Sequence, residues 1–174
     1  MNNPVESLLE DDHASLDQLF AELDLALAKP DVARGFELLD LFWARLAVHI
    51  RAEHLHLFPA LSNAAPKPSG KSSMPTREEV ETTLARLRSD HDFFMKELAQ
   101  LMKEARVNGA SGAGVFRERL AAIRKRLETH NQIEERQVYV WPSLLLDETT
   151  VAALEERVRL ELENIPPRFA AETQ

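Results

Sequence analysis

A chain of 174 residues with 44% hydrophobic and 29% charged residues has a globular composition and the length of one domain, taken here as residues 1–174. Its net charge of −8 argues against nucleic acid as a partner, because phosphate recognition needs clustered Lys and Arg. The sequence has no cysteine, which excludes disulfides, thiolate catalysis and zinc–thiolate sites and suits a reducing cytoplasm.

The N-terminal "MNNPVESLLEDDH" lacks the basic start and apolar run of a signal peptide. No stretch reaches the roughly 18 apolar residues of a membrane span, so the expectation is a cytoplasmic protein with no membrane partner. Few glycines and long patterns of period 3.6 predict an all-α chain. Asn3-Pro4-x-Glu6 predicts a helix start, with an Asn cap, Pro at the first position and Glu at the third, and a helix to about Lys29 that Pro30 ends. Asp31 caps a second helix carrying Phe36, Leu39, Phe42 and Leu46 to about Leu61.

Residues 62–75, "SNAAPKPSGKSSMP", read as a long exposed connection. Thr76-x-x-Glu79 is a capping box for a third helix, closed by Asn108-Gly109. A fourth begins near Ser111–Gly114 and continues to about Val140, before Pro142. Asp147 or Thr149 caps a shorter fifth helix over about 148–164, ending before Pro166-Pro167. Short links make neighbours antiparallel, so residues of about 4–145 form an up-down-up-down four-helix bundle with an additional short C-terminal helix. That amphipathic helix packs across the bundle, a homodimer contact being its rival role.

Each long helix places a histidine on its apolar seam. The runs are His13, Leu16, Phe20, Leu23; Phe42, Leu46, His49, Glu53, His56; Leu84, Leu87, His91, Phe94; and Leu120, Ile123, Leu127, His130, Glu134. Counted from the nearest turn, the first histidine of each run lies about 16–18 residues deep, a spread of about 3 Å at 1.5 Å per residue. A lone buried histidine is ordinarily a hydrogen-bonded core residue. Four at one depth, two of them with Glu at i+4 on the same face, are not explained that way. Burying those carboxylates and imidazoles without a cation would cost several kcal/mol per charge.

Imidazole and carboxylate without sulfur suit iron, manganese or zinc, and six such groups exceed what a structural zinc needs. The pattern predicts a dinuclear reactive centre. It also explains why His-x-x-x-Glu occurs twice, in "HIRAEHLHLFPAL" (49–61) and "HNQIEERQVYVWPSL" (130–144). Two similar hairpins each supply a lone His, after Asp12 and after Asp90, and one His-x-x-x-Glu.

The order His13…His49-x-x-x-Glu53…His91…His130-x-x-x-Glu134, with "LFPAL" after the second helix, resembles the haemerythrin-like (HHE cation-binding) family over roughly residues 5–145. The resemblance implies a non-haem, carboxylate-bridged di-iron centre (two Fe) held by His13, His49, Glu53, His91, His130 and Glu134. Its small-molecule partners would be O2, NO or peroxide, in binding, sensing, or handling iron and redox stress. An enzyme (a ferritin-like oxidase, a peroxide consumer or an iron-centre repair protein) is the alternative.

Two departures from respiratory haemerythrins stand out. Met95 occupies the position of their second third-helix His, and the last helix has His-x-x-x-Glu in place of His-x-x-x-x-Asp. Without a His at 95 the two irons have nearly equal ligand sets. Around the centre, His56 is read as capping the pocket in preference to acting as a seventh ligand. His54 is read as surface or outer, Glu135 as a solvated charge, Asp17 as solvated or bonded to a ligand, and Tyr139 as lining the pocket or packing.

Overall fold

The computed structural model describes residues 3–29, 33–66, 74–108 and 113–172, and within these every regular element is helical. The expected caps Asp31 and Gly109, the stop at Pro30 and the Ser111-Gly112 part of the fourth helix start lie outside the described residues. Helix α1 spans Pro4–Leu27, and its predicted start is present in full: Asn3 caps it, Pro4 opens it, and Glu6 completes a reciprocal capping box. Helix α2 (Ala33–Ala52) runs into a π-helical turn, Glu53–Leu57, and then into α3 (Phe58–Ala64). The helical run therefore extends into the predicted connection, whose residues 67–73 lie outside the described set. Thr76 and Glu79 form the expected capping box at α4 (Arg77–Asn108).

The fourth run repeats the second. Helix α5 (Ala113–Ile133) enters a π-helical turn at Glu134–Val138 and leaves it through a short α6 (Trp141–Leu145). Asp147 caps α7 (Glu148–Leu162) through the Thr150 backbone N–H at 2.8 Å. Helices α1, α2, α4 and α5 contact one another in a closed cycle, which is the expected bundle. At the end of α1 the helices approach closely: a Cβ added to Gly35 would lie 2.5 Å from a Leu27 methyl carbon. No helix among the described residues is long and apolar enough to cross a membrane.

Two apolar cores stack along the bundle. One contains Leu16, Phe20, Phe42, Phe94, Leu98, Leu120 and Ile123; the other contains Val5, Leu9, Leu57, Phe58, Leu84, Val138 and Tyr139. Val151, Leu154 and Val158 of α7 join the second core, so its apolar stripe is occupied within the chain. Arg51 and His56 reach Glu161 from below, which ties α7 to the first π-turn. Between the two cores lies a polar layer.

Asn3 has a second task. Its amide also donates to the Tyr139 carbonyl at 2.8 Å, in a buried contact joining the start of α1 to the exit of the second π-turn. Asn3→Ala should lower stability by about 2 kcal/mol, a lost cap plus a stranded buried carbonyl, read as a shifted urea midpoint.

Candidate metal centre

The polar layer is made of the six predicted side chains. His13, His49, His91 and His130 are each 2–3% exposed, and Glu53 and Glu134 are wholly buried. Equal depth brings the histidines together in pairs: His13 Nε2 lies 3.2 Å from His49 Nε2, and His91 Nε2 lies 2.9 Å from His130 Nε2. The two glutamates lie between the pairs, and each turns one oxygen to each pair. Glu53 Oε1 is 3.7 Å from His49 Nε2 while its Oε2 is 3.3 Å from His91 Nε2. Glu134 Oε2 is 3.4 Å from His13 Nε2 while its Oε1 is 2.9 Å from His130 Nε2 and 3.6 Å from His91 Nε2. Two groups, His13–His49–Glu134 and His91–His130–Glu134, have the separations of donors that could hold a metal ion.

Outer partners fix which nitrogen faces inward. Asp12 accepts from His49 Nδ1 at 2.9 Å and is itself held by Arg45 at 3.1 Å. Asp90 lies 3.4 Å from His130 Nδ1 and is gripped by Arg126 through two contacts of 2.6 and 2.8 Å. Each Asp precedes one histidine of its hairpin in sequence but orients the other. With Nδ1–H committed outward, the Nε2 lone pair is directed into the layer, as in metal-binding histidines.

The layer demands positive charge. Burial pushes Glu53 well above the usual carboxylate range, and the adjacent Glu134 charge adds to that. Burial pushes Glu134 up as well, but His130, His13 and His91 outweigh it and hold it well below. For His13, burial lowers the imidazole, yet Glu134 and Glu135 overcome this and raise it to about 9. Burial takes His91 the other way, to about 4, with Glu134 offsetting only part. Glu53 Oε2 and Glu134 Oε1 have no hydrogen-bond donor, although imidazole nitrogens stand close by. Converging lone pairs, orphaned carboxylate oxygens and a histidine recruited as a cation are the chemistry of a donor set that fits a metal ion.

The chain matches the hemerythrin HHE cation-binding domain family over residues 5–141. It belongs to that family. No curated protein and no solved structure matches the chain.

As a member of the hemerythrin family the chain carries features that its ligand pattern does not announce. Both π-turns begin at a layer glutamate, and each is closed by a backbone bond from the fifth residue on, Phe58 to Glu53 and Tyr139 to Glu134. The widened turn rotates the residues that follow. His56, on the seam at regular helical spacing, is carried outward to within 3.7 Å of Glu161, so it does not join the layer. Residue i+5 faces inward instead. Tyr139 is buried, with its hydroxyl 2.8 Å from Glu53 Oε1, 3.1 Å from His13 Nε2 and 3.3 Å from each of His49 Nε2 and Glu134 Oε2.

Glu135, read as a solvated charge, and His54, read as surface or outer, also belong here. Glu135 is 2.9 Å from His13 Nδ1, and His54 Nε2 is 2.9 Å from His91 Nδ1. Both reach across between helices, a contact that periodicity within one helix cannot reveal. Asp17 is exposed and joins neither metal group. Asp12 and Asp90 mark the hairpin motif in the sequence without a role, and Arg45 and Arg126 go unmarked, but the repeat Asp-His…Arg-x-x-x-His-x-x-x-Glu in both hairpins is a visible signal for them.

Asp12→Ala and Asp90→Ala should each weaken metal affinity about 10–100-fold while Asp17→Ala leaves it unchanged, measured by competition with a chelating dye. A second expectation concerns metal-free protein. A histidine raised to about 9 contributes stability that is full below its ordinary value of 6.5 and is lost as pH rises through about 9. The stability advantage of wild type over His13→Asn in urea should therefore shrink across that window; an advantage that grows with pH would contradict it.

Proposed function

We propose that the protein is a non-haem di-iron protein that binds or senses a small oxidant or radical, O2, NO or peroxide. One observation carries the reading: Glu53 and Glu134 each direct one oxygen to each of two histidine pairs, which is how carboxylates bridge two metal ions. His13 and His49 would hold one ion and His91 and His130 the other, with both glutamates shared. Iron in such a site supplies reversible one-electron chemistry and a vacant coordination position for a small molecule.

The chain's own residues set the conditions. Asp12 and Asp90 orient His49 and His130, the two apolar cores exclude bulk water, and the closed helix cycle keeps the pairs apart at fixed spacing. A ferritin-type oxidase, one of the enzyme alternatives, needs Glu-x-x-His motifs aimed inward. That spacing occurs at Glu10-x-x-His13 and Glu53-x-x-His56, but Glu10 is in neither metal-holding group and His56 turns to α7, which favours the binding or sensing reading.

Protein purified anaerobically with adequate iron should hold about two irons per chain, fewer after Glu53→Ala or His130→Ala, and should melt at a higher temperature than its metal-free form. The reduced protein should change its visible spectrum on exposure to O2 or NO. One zinc per chain that iron cannot replace, or identical melting of the two forms, would defeat the proposal.

A further inference from the structure

The hairpins repeat each other closely, so their differences are informative. Five residues after the layer glutamate, the second hairpin has Tyr139 and the first has Phe58. Both side chains face the layer from equivalent places. The Phe58 ring stacks on His91, 5.9 Å between centroids and 3° from parallel, and offers no donor or acceptor. The Tyr139 hydroxyl stands beside the opposite pair.

Its hydroxyl oxygen stands among the donor atoms that would hold a metal ion there. Tyr139 Oη is 3.1 and 3.3 Å from the His13 and His49 nitrogens and 2.8 Å from Glu53 Oε1. At the His91/His130 pair the matching place is taken by the Phe58 ring, which carries no oxygen.

The carboxylates report the same imbalance independently. The oxygens facing His13 and His49, Glu53 Oε1 and Glu134 Oε2, are the two that Tyr139 reaches. The oxygens facing His91 and His130, Glu53 Oε2 and Glu134 Oε1, are wholly buried and have no hydrogen-bond partner. The carboxylate oxygens with no phenol beside them are thus those on the His91/His130 side, where His130 Nε2 stands 2.9 Å from Glu134 Oε1.

We infer that Tyr139 closes the metal position at His13 and His49, so that a small external ligand enters only at the His91/His130 position, beside Phe58. The inference rests on the two-metal reading and adds to it which position is open and which residue decides. It departs from the expectation, drawn from the ligand pattern, that the two positions are nearly equal. Ligand sets drawn only from His and Glu are matched, but the fifth residue after each Glu is not.

Azide is a suitable probe, because its binding to ferric ions is read in the visible spectrum. Iron-loaded, oxidised wild type should bind one azide per chain. Tyr139→Phe, which removes only the hydroxyl, should keep its iron and bind a second azide. Phe58→Tyr should weaken the first binding event at least tenfold. Wild type that binds two azides, or a Tyr139→Phe titration that superimposes on wild type, would overturn the inference while leaving two-metal binding intact. Iron content measured on the same samples separates the cases: wild type holding fewer than two irons defeats the proposed function, and this inference with it. Phe58→Tyr that loses iron removes only that arm, since Tyr139→Phe alone decides.

Discussion

Two glutamates buried to zero exposure set the terms for the middle of this bundle. A carboxylate taken from water into an apolar interior is costly unless charge and hydrogen bonds compensate it, and two side by side cannot both stay ionised. Four imidazoles surround the pair, and Asp12 and Asp90 hold the outward Nδ1–H groups of His49 and His130, which leaves lone pairs on the inward nitrogens of those two. The layer is thus rich in electron pairs and short of positive charge. Protons relieve this only in part, through His13. The rest of the fold supports a layer that is unfavourable by itself: two apolar cores, reciprocal helix caps, and α7 laid over the first π-turn.

What could be read from the sequence follows from which properties of a helix are rigid. Rise and periodicity scarcely vary, so counting residues from each turn put His13, His49, His91 and His130 in one layer. Caps are local chemistry, and Asn3, Thr76 and Asp147 act as their sequence contexts predict. The π-turns are different. One additional residue in a helical turn leaves no mark in composition, and strict 3.6 periodicity carried past Glu53 puts His56 on the inner face. The repeat that betrays the turn was present, an aromatic nine residues after each His of the His-x-x-x-Glu motifs. Its meaning depends on a helix that is locally wider than ideal.

Contacts between helices were the other blind spot. Glu135 and His54 each follow a layer glutamate and would be solvent-facing on an isolated helix. Packing brings them against His13 and His91, elements apart in sequence by 122 and 37 residues. The same holds for Arg45 and Arg126, which are partly exposed and would pass as ordinary surface cations. Each instead anchors the aspartate that orients a layer histidine. Exposure alone did not distinguish them from the other charged residues; only their shared position, four before that histidine in both hairpins, does.

Comparison of the hairpins separates what the layer requires from what distinguishes its halves. Asp-His, Arg-x-x-x-His-x-x-x-Glu and an aromatic at i+5 recur in both, and these are the groups that create the inward lone pairs and place the π-turns. The positions that differ are the ones just after each glutamate: a carboxylate backs His13 where an imidazole backs His91, and a phenol faces one pair where a phenyl ring faces the other. A phenol has one O–H to give, and Tyr139 turns it to the His13/His49 side, 2.8 Å from Glu53 Oε1, whereas Phe58 has none to give on the other side. Any difference in behaviour between the two halves must therefore originate beside the repeated residues and not among them.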